Sequence, residues 1–133
     1  AEVGRKHGLR RAIALPVSAP FHCALMQPAA DAMRDALAKV EIKPPVVPVI
    51  ANVLATPIDD PDEIRRRLVE QVTGTVRWRE CVAAMAAAGV TDMYEIGSGK
   101  VLAGLAKRIV PTLNATSIGT PQDIEAALPS LSR

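Results

Sequence analysis

Aromatic residues are nearly absent from this chain of 133 residues, where Phe21, Trp78 and Tyr94 are the whole set. So few flat rings offer little for nucleobases to stack on, and nucleic acid is excluded as an expected partner. Cysteine is scarce too. Cys23 and Cys81 form no CxxC and lie near no histidine at metal-ligand spacing, so neither a disulfide framework nor a metal site is expected, and a reducing cytoplasm is the expected home. No apolar run approaches the ~18 residues that read as a membrane span, so no membrane partner is expected. The opening AEVGRKHGLRR has no signal-peptide character and reads as the tail of a helix, so the chain is expected to be a piece of a longer one. Charge of one sign is not in excess either: the formal net charge is +2, and the clusters Arg10-Arg11 and Arg65-Arg66-Arg67 read first as solvated faces.

What the chain does have is aliphatic residues. Its hydrophobic content is 49%, mostly Ala, Val, Leu and Ile, which suffices for one core of helices packed on a sheet. Residues 11 to 17, RAIALPV, read as a short strand with Pro16 near its end. From about Ala24 to Val40, the positions Met26, Ala30, Met33, Leu37 and Val40 recur at helical steps, and Pro28 fits only a first turn. VVPVIAN, Val46 to Asn52, is apolar nearly throughout and predicts a parallel strand covered on both faces. Asp60-Pro61-Asp62-Glu63 has the order of a helix start, with Ile64, Leu68 and Val72 sharing a face behind it. A helix from about Val76 to Ala88 turns Trp78, Val82 and Met85 inward. TDMYEI and LNATSI then read as strands around a helix carrying Leu102, Leu105, Ala106 and Ile109, and Thr120-Pro121-Gln122-Asp123 opens a last helix. Alternating strands and helices predict an α/β fold with a mainly parallel sheet and its site in the loops at the strand ends.

His22 is the first candidate for chemistry. It follows Pro20-Phe21 in a turn between a strand and a helix, where an imidazole can face a cleft instead of packing along an element. Cys23 adjoins it, but neighbouring side chains diverge, so Cys23 reads as a small buried residue. Gly97-Ser98-Gly99-Lys100 lacks the Walker frame, with Val101 where Ser or Thr would stand, and reads as a tight strand-to-helix turn. None of the serines sits in GxSxG, so no nucleophile of the elbow type is present.

LPVSAPFHCALMQPAA at Leu15 to Ala30, PVVPVIANV at Pro45 to Val53, LVEQVTGTVRW at Leu68 to Trp78 and YEIGSGKVLAGLAKRI at Tyr94 to Ile109 occur together in this order. In these motifs the chain resembles the carboxyl-terminal part of the bacterial malonyl-CoA:acyl carrier protein transacylases. The resemblance implies a partial α/β-hydrolase-like acyltransferase core over residues 18–133, with residues 1–17 ending a small ferredoxin-like insert. It implies malonyl transfer from CoA to the carrier's phosphopantetheine thiol, through an acyl-serine, in fatty-acid synthesis. By the same resemblance His22 is the general base and acid, and the backbone carbonyl of Gln71 orients it. Phe21, directly before the histidine, would contact the substrate. Arg10 and Arg11 would dock the acidic carrier protein. Malonyl-CoA enters as substrate, with no bound cofactor or metal. The serine, the oxyanion-hole residues and the carboxylate-binding arginine would come from a missing amino-terminal segment, so this chain alone is expected to be inactive. A non-catalytic carrier-binding module and a fragment of a polyketide-type acyltransferase are the alternatives.

Overall fold

A computed structural model of the protein describes residues 2–10 and 17–131. The expected strand RAIALPV, and with it Arg11, lies outside the described residues except for Val17. A short helix α1 (Glu2–Lys6) opens the described residues. After it come a 3-10 turn at Ala24–Met26, α2 (Gln27–Leu37), β1 (Val49–Ala51), β2 (Thr56–Ile58), α3 (Pro61–Thr73) and α4 (Trp78–Ala87). The chain continues with β3 (Asp92–Ile96), α5 (Val101–Ile109), β4 (Asn114–Ile118) and α6 (Pro121–Leu131). The α/β class expected from the sequence is the class observed.

The carboxyl-terminal half is a β-α-β unit. β3 and β4 pair in parallel from Asp92 opposite Asn114 to Ile96 opposite Ile118, with α5 as the crossover between them. The core lies where α4 and α5 meet β4: Val82, Ala103, Ala106, Leu113 and Ala115 form one buried cluster, with Trp78, Met85, Met93 and Ile109 packed around it. Alanines at 103 and 106 keep the face of α5 shallow, which lets helix and strand approach closely. The three inward residues predicted for α4 all reach this cluster.

The first half departs from the expectation of a mainly parallel sheet. Among the described residues parallel pairing is confined to β3 and β4, and β1 turns back on β2 as an antiparallel hairpin, Val49 opposite Ile58. VVPVIAN is not a strand buried on both faces. Only three of its residues are extended in the ladder, and Val46 is fully exposed at 102%. Pro44, Pro45 and Pro48 have no N–H to give a ladder, which disfavours pairing in the first part of the run, and the ladder starts at Val49.

The helix starts are legible in the bonds. Asp60 caps α3 by accepting from Glu63 N–H at 2.8 Å, with Pro61 in the first turn. Thr120 and Asp123 cap α6 reciprocally, Asp123 Oδ2 accepting from Thr120 N–H at 2.9 Å and Thr120 Oγ1 from Asp123 N–H at 3.2 Å. α2 begins three residues later than the periodicity predicts, because Pro28 occupies its first turn behind the 3-10 turn. Its inward face is narrow: Ala30 is buried and Leu37 half-buried, but Met33 and Val40 are exposed.

Two of the three arginines in Arg65-Arg66-Arg67 are structural. Arg65 donates to Leu37 O at 2.7 Å and Val40 O at 3.2 Å, closing the open end of α2 against α3. Arg67 joins Glu63 and Glu70, and only Arg66 matches the expected solvated face.

Candidate active site

His22 stands in the turn before the 3-10 helix with φ of 58°, a left-handed conformation seldom taken by a residue with a side chain. Its ring is tied across 49 residues of sequence: Nδ1 lies 2.9 Å from the backbone oxygen of Gln71. An oxygen can only accept, so Nδ1 carries the proton in this contact, and in the neutral ring Nε2 then presents a lone pair. His22 itself is exposed.

The Gln71 carbonyl is free for this role because α3 ends at once. Thr73 is the last helical residue, and Gly74 leaves the helix extended, its N–H returning to Glu70 O at 2.9 Å. Gln71 O is therefore among the carbonyls of a helix end that lack an intrahelical donor. It also lies at the electronegative end of α3, which suits a ring that becomes cationic when it takes a proton. Gly74 is required for space here, since a Cβ would sit 2.9 Å from both Val53 Cγ2 and Glu70 O.

The side chain of Gln71 is engaged as well. Asn52 Nδ2 donates to Gln71 Oε1 at 2.9 Å, and Asn52 Oδ1 accepts from Arg77 N–H at 3.1 Å. Cys81 Sγ approaches the same Oδ1 at 3.6 Å, and burial raises its thiol above the ordinary range, so it keeps its proton. Asn52 thus joins the β1–β2 turn, the end of α3 and the start of α4 beneath His22. The sequence reading missed this residue by taking it as the last position of a buried strand. Its position in a four-residue hairpin turn is the only signal that could have marked it.

The other predicted site residues are placed as follows. Phe21 is 54% exposed beside His22. Cys23 donates back to Pro20 O at 3.0 Å and is half-buried, which directs the thiol into its own turn and away from any pairing with the imidazole. Arg10 is exposed, and Arg11 lies outside the described residues. A cavity of about 230 Å³ opens on the Asn52–Gln71 pair and is walled by Val49, Ile50, Ile58, Ile64 and Leu68.

Gly97-Ser98-Gly99-Lys100 is a strand-to-helix turn, as expected. Gly97 and Gly99 take φ of 135° and 100°, where a side chain would be strained. The amides it leads into are occupied. Glu95 on β3 accepts from Leu102 N–H at 3.1 Å and Ala103 N–H at 2.9 Å, and from Ser117 Oγ at 3.3 Å. These bonds, that from Ala103 foremost, hold its carboxyl below the ordinary range. A carboxylate of the chain itself therefore fills the place a phosphate would take. Among the described residues no group of three or more His, Cys, Asp or Glu could hold a metal ion, and no helix is long and apolar enough to cross a membrane.

No protein-family model matches the chain. Individual proteins do. It is 50% identical over 121 residues to the malonyl CoA-acyl carrier protein transacylase of Escherichia coli strain K12, an alignment spanning 91% of this chain and 39% of that protein. The chain is homologous to a stretch of the malonyl CoA-acyl carrier protein transacylases. The crystal structure of the acyl-carrier-protein S-malonyltransferase of Bartonella henselae superposes on this homologue with a TM-score of 0.87 at 55% identity, over 99% of this chain and 42% of that one. A type II PKS acyl-carrier protein in complex with its malonyl-transacylase matches with a TM-score of 0.84 at 40% identity, over 97% of this chain and 42% of that one. This transacylase homologue thus spans about two fifths of the length of the proteins it matches.

Proposed function

We propose that this chain supplies the general base and acid of malonyl transfer from CoA to an acyl carrier protein, His22 being that group. The observation that carries the reading is the 2.9 Å contact between His22 Nδ1 and Gln71 O, made by a strained residue and a helix-end carbonyl far apart in sequence. The bare Nε2 takes the hydroxyl proton of a serine as its oxygen attacks the malonyl thioester carbonyl. The imidazolium, steadied by the carbonyl on its other nitrogen, returns that proton to the CoA thiolate as the C–S bond breaks. In the second half His22 deprotonates the phosphopantetheine thiol, which attacks the acyl-serine, and the proton goes back to the serine oxygen. An amide carbonyl performs the orienting role without a buried negative charge, which keeps the imidazolium from being over-stabilised between steps.

The serine belongs to a segment outside this sequence, as do the oxyanion donors and the arginine for the malonyl carboxylate. Residues 18–133 form the carboxyl-terminal part of an α/β-hydrolase-like acyltransferase core, and residues 1–17 end a ferredoxin-like insert. The exposed ring of Phe21 contacts the acyl group at its α-carbon and disfavours a branch there. Arg10 and Arg11 receive the acidic carrier by charge complementarity, a contact that salt weakens.

The test is reconstitution. Mixing the chain with the purified amino-terminal portion of a transacylase restores malonyl transfer with wild-type His22 and not with His22→Ala. Transfer that is recovered equally with both, or carrier binding with no acyl-serine formed, overturns the assignment. Reversing the charge of Arg10 and Arg11 raises the carrier's KM at low salt and has less effect at high salt; an unchanged KM at low salt removes them from the docking surface.

A further inference from the structure

We propose that Asn52 is a positioning residue for His22, selecting its tautomer by restraining the side chain of Gln71. The inference rests on the reading of His22 as the base and adds a residue to that site.

Two groups of Gln71 face the same ring nitrogen. Its backbone oxygen lies 2.9 Å from His22 Nδ1, and its side-chain Nε2 lies 3.5 Å from the same atom. They favour opposite tautomers. The oxygen accepts a proton from Nδ1 and leaves Nε2 bare, whereas the amide would donate to a bare Nδ1 and leave the proton on Nε2, where it blocks base catalysis. At 3.5 Å the amide is too distant for a good bond, so the carbonyl wins.

Asn52 holds the amide at that distance. The Arg77 backbone N–H can only donate, so the Asn52 atom it meets at 3.1 Å is the oxygen, and Nδ2 faces Gln71. Nδ2 then donates to Gln71 Oε1 at 2.9 Å, which turns Gln71 Nε2 toward Gly74 O at 3.4 Å. The orientation of both carboxamides follows from one backbone amide. Asn52 is itself held in place: Leu54 N–H and Ala55 N–H both return to Ala51 O, at 3.0 and 2.7 Å, and Arg77 Nη1 donates to Leu54 O at 2.8 Å. A short side chain on a pinned turn thus restrains a longer one on a helix end.

Long-range ¹H–¹⁵N NMR of the His22 ring in the 133-residue chain, at a pH where the ring is neutral, tests this. The wild type shows Nδ1 protonated. Asn52→Ala shifts the tautomer ratio toward Nε2–H by about 2- to 10-fold, the range expected from the net effect of one neutral hydrogen bond. Asn52→Ser, whose shorter side chain cannot reach Gln71, gives the same shift and keeps a polar, turn-compatible residue at this position if the alanine variant does not fold. Adding Gln71→Ala removes the competing donor, and the double variant returns to the wild-type ratio. A folded Asn52→Ser variant with an unchanged ratio overturns the proposal, and so does a double variant that keeps the shift. No serine or malonyl group enters this measurement. Failure of the transfer reading would appear only in reconstitution, and failure of the Asn52 inference only in the ring spectrum.

Discussion

The two faces of α4 look onto regions built on different physics. Toward β1 and α3, Arg77 and Cys81 meet Asn52, and through it Gln71 and His22, in a relay of directional bonds between partners 19 to 49 residues apart. Toward β4 and α5, Val82 enters a cluster of small aliphatic residues, against which the indole N–H of Trp78 is buried without a hydrogen-bond partner among the described residues. The first region is polar and partly exposed, with its key residue in a strained backbone conformation. The second is dry and regular. Directional bonds fix angles within narrow limits but add little net stability, whereas apolar burial adds stability and is indifferent to angle. On the proposed reading of His22, the chain places its chemistry in one and its stability in the other, with α4 between them.

Substitutions can separate these contributions. The largest effect belongs to the polar relay: His22→Ala lowers reconstituted malonyl transfer by about 10²- to 10⁴-fold, the contribution of a positioned general base, while the melting temperature stays within error of wild type. Gln71→Ala costs far less, because the orienting carbonyl remains. The comparison breaks if His22→Ala lowers the melting temperature as much as a core substitution does. In the dry cluster, Val82→Ala lowers stability by roughly 2 kcal/mol in urea unfolding, through lost burial and a residual cavity, and leaves the His22 ring spectrum unchanged. Gly74→Ala crosses the boundary. Its Cβ would press on Val53 and Glu70 O, so it costs about 1–3 kcal/mol and perturbs the His22 ring signals as well. Asp60→Ala removes one cap at the far end of α3 and costs about 1 kcal/mol, with transfer retained.

The smallest effect concerns pH. Glu95 has its carboxyl lowered in the fold by the amides of Ala103 and Leu102, so its contribution to stability is fully present above the ordinary value of 4.5. It is lost as pH falls through the lower folded value. The difference in melting temperature between wild type and Glu95→Gln therefore narrows on acidification across that window. A constant difference would show that the carboxylate's charge does not stabilise the start of α5.

The elements that could be read from sequence are those whose signals are local. Asp60-Pro61 and Thr120 through Asp123 marked helix starts because a cap and the amide it serves lie within four residues. Gly97 and Gly99 marked a turn through their own φ. VVPVIAN was misread because an unbroken apolar run does not distinguish a buried strand from an exposed approach to a hairpin. Nothing within the run states that Val46 stays in solvent. Arg65 was read as solvated for a similar reason, since the carbonyls it closes, Leu37 and Val40, lie at and just beyond the end of another helix.

His22 shows the division within one residue. Sequence alone determined that an imidazole stands in a turn after Pro20-Phe21, and the resemblance named Gln71 as its partner. Only the tertiary structure decided which nitrogen meets which oxygen, because that depends on α3 ending at Gly74 and on the turn at Asn52 lying beneath it. Hydrogen-bond polarity is a property of assembled partners, and a chain acquires it only when distant segments are brought within 3 Å of one another.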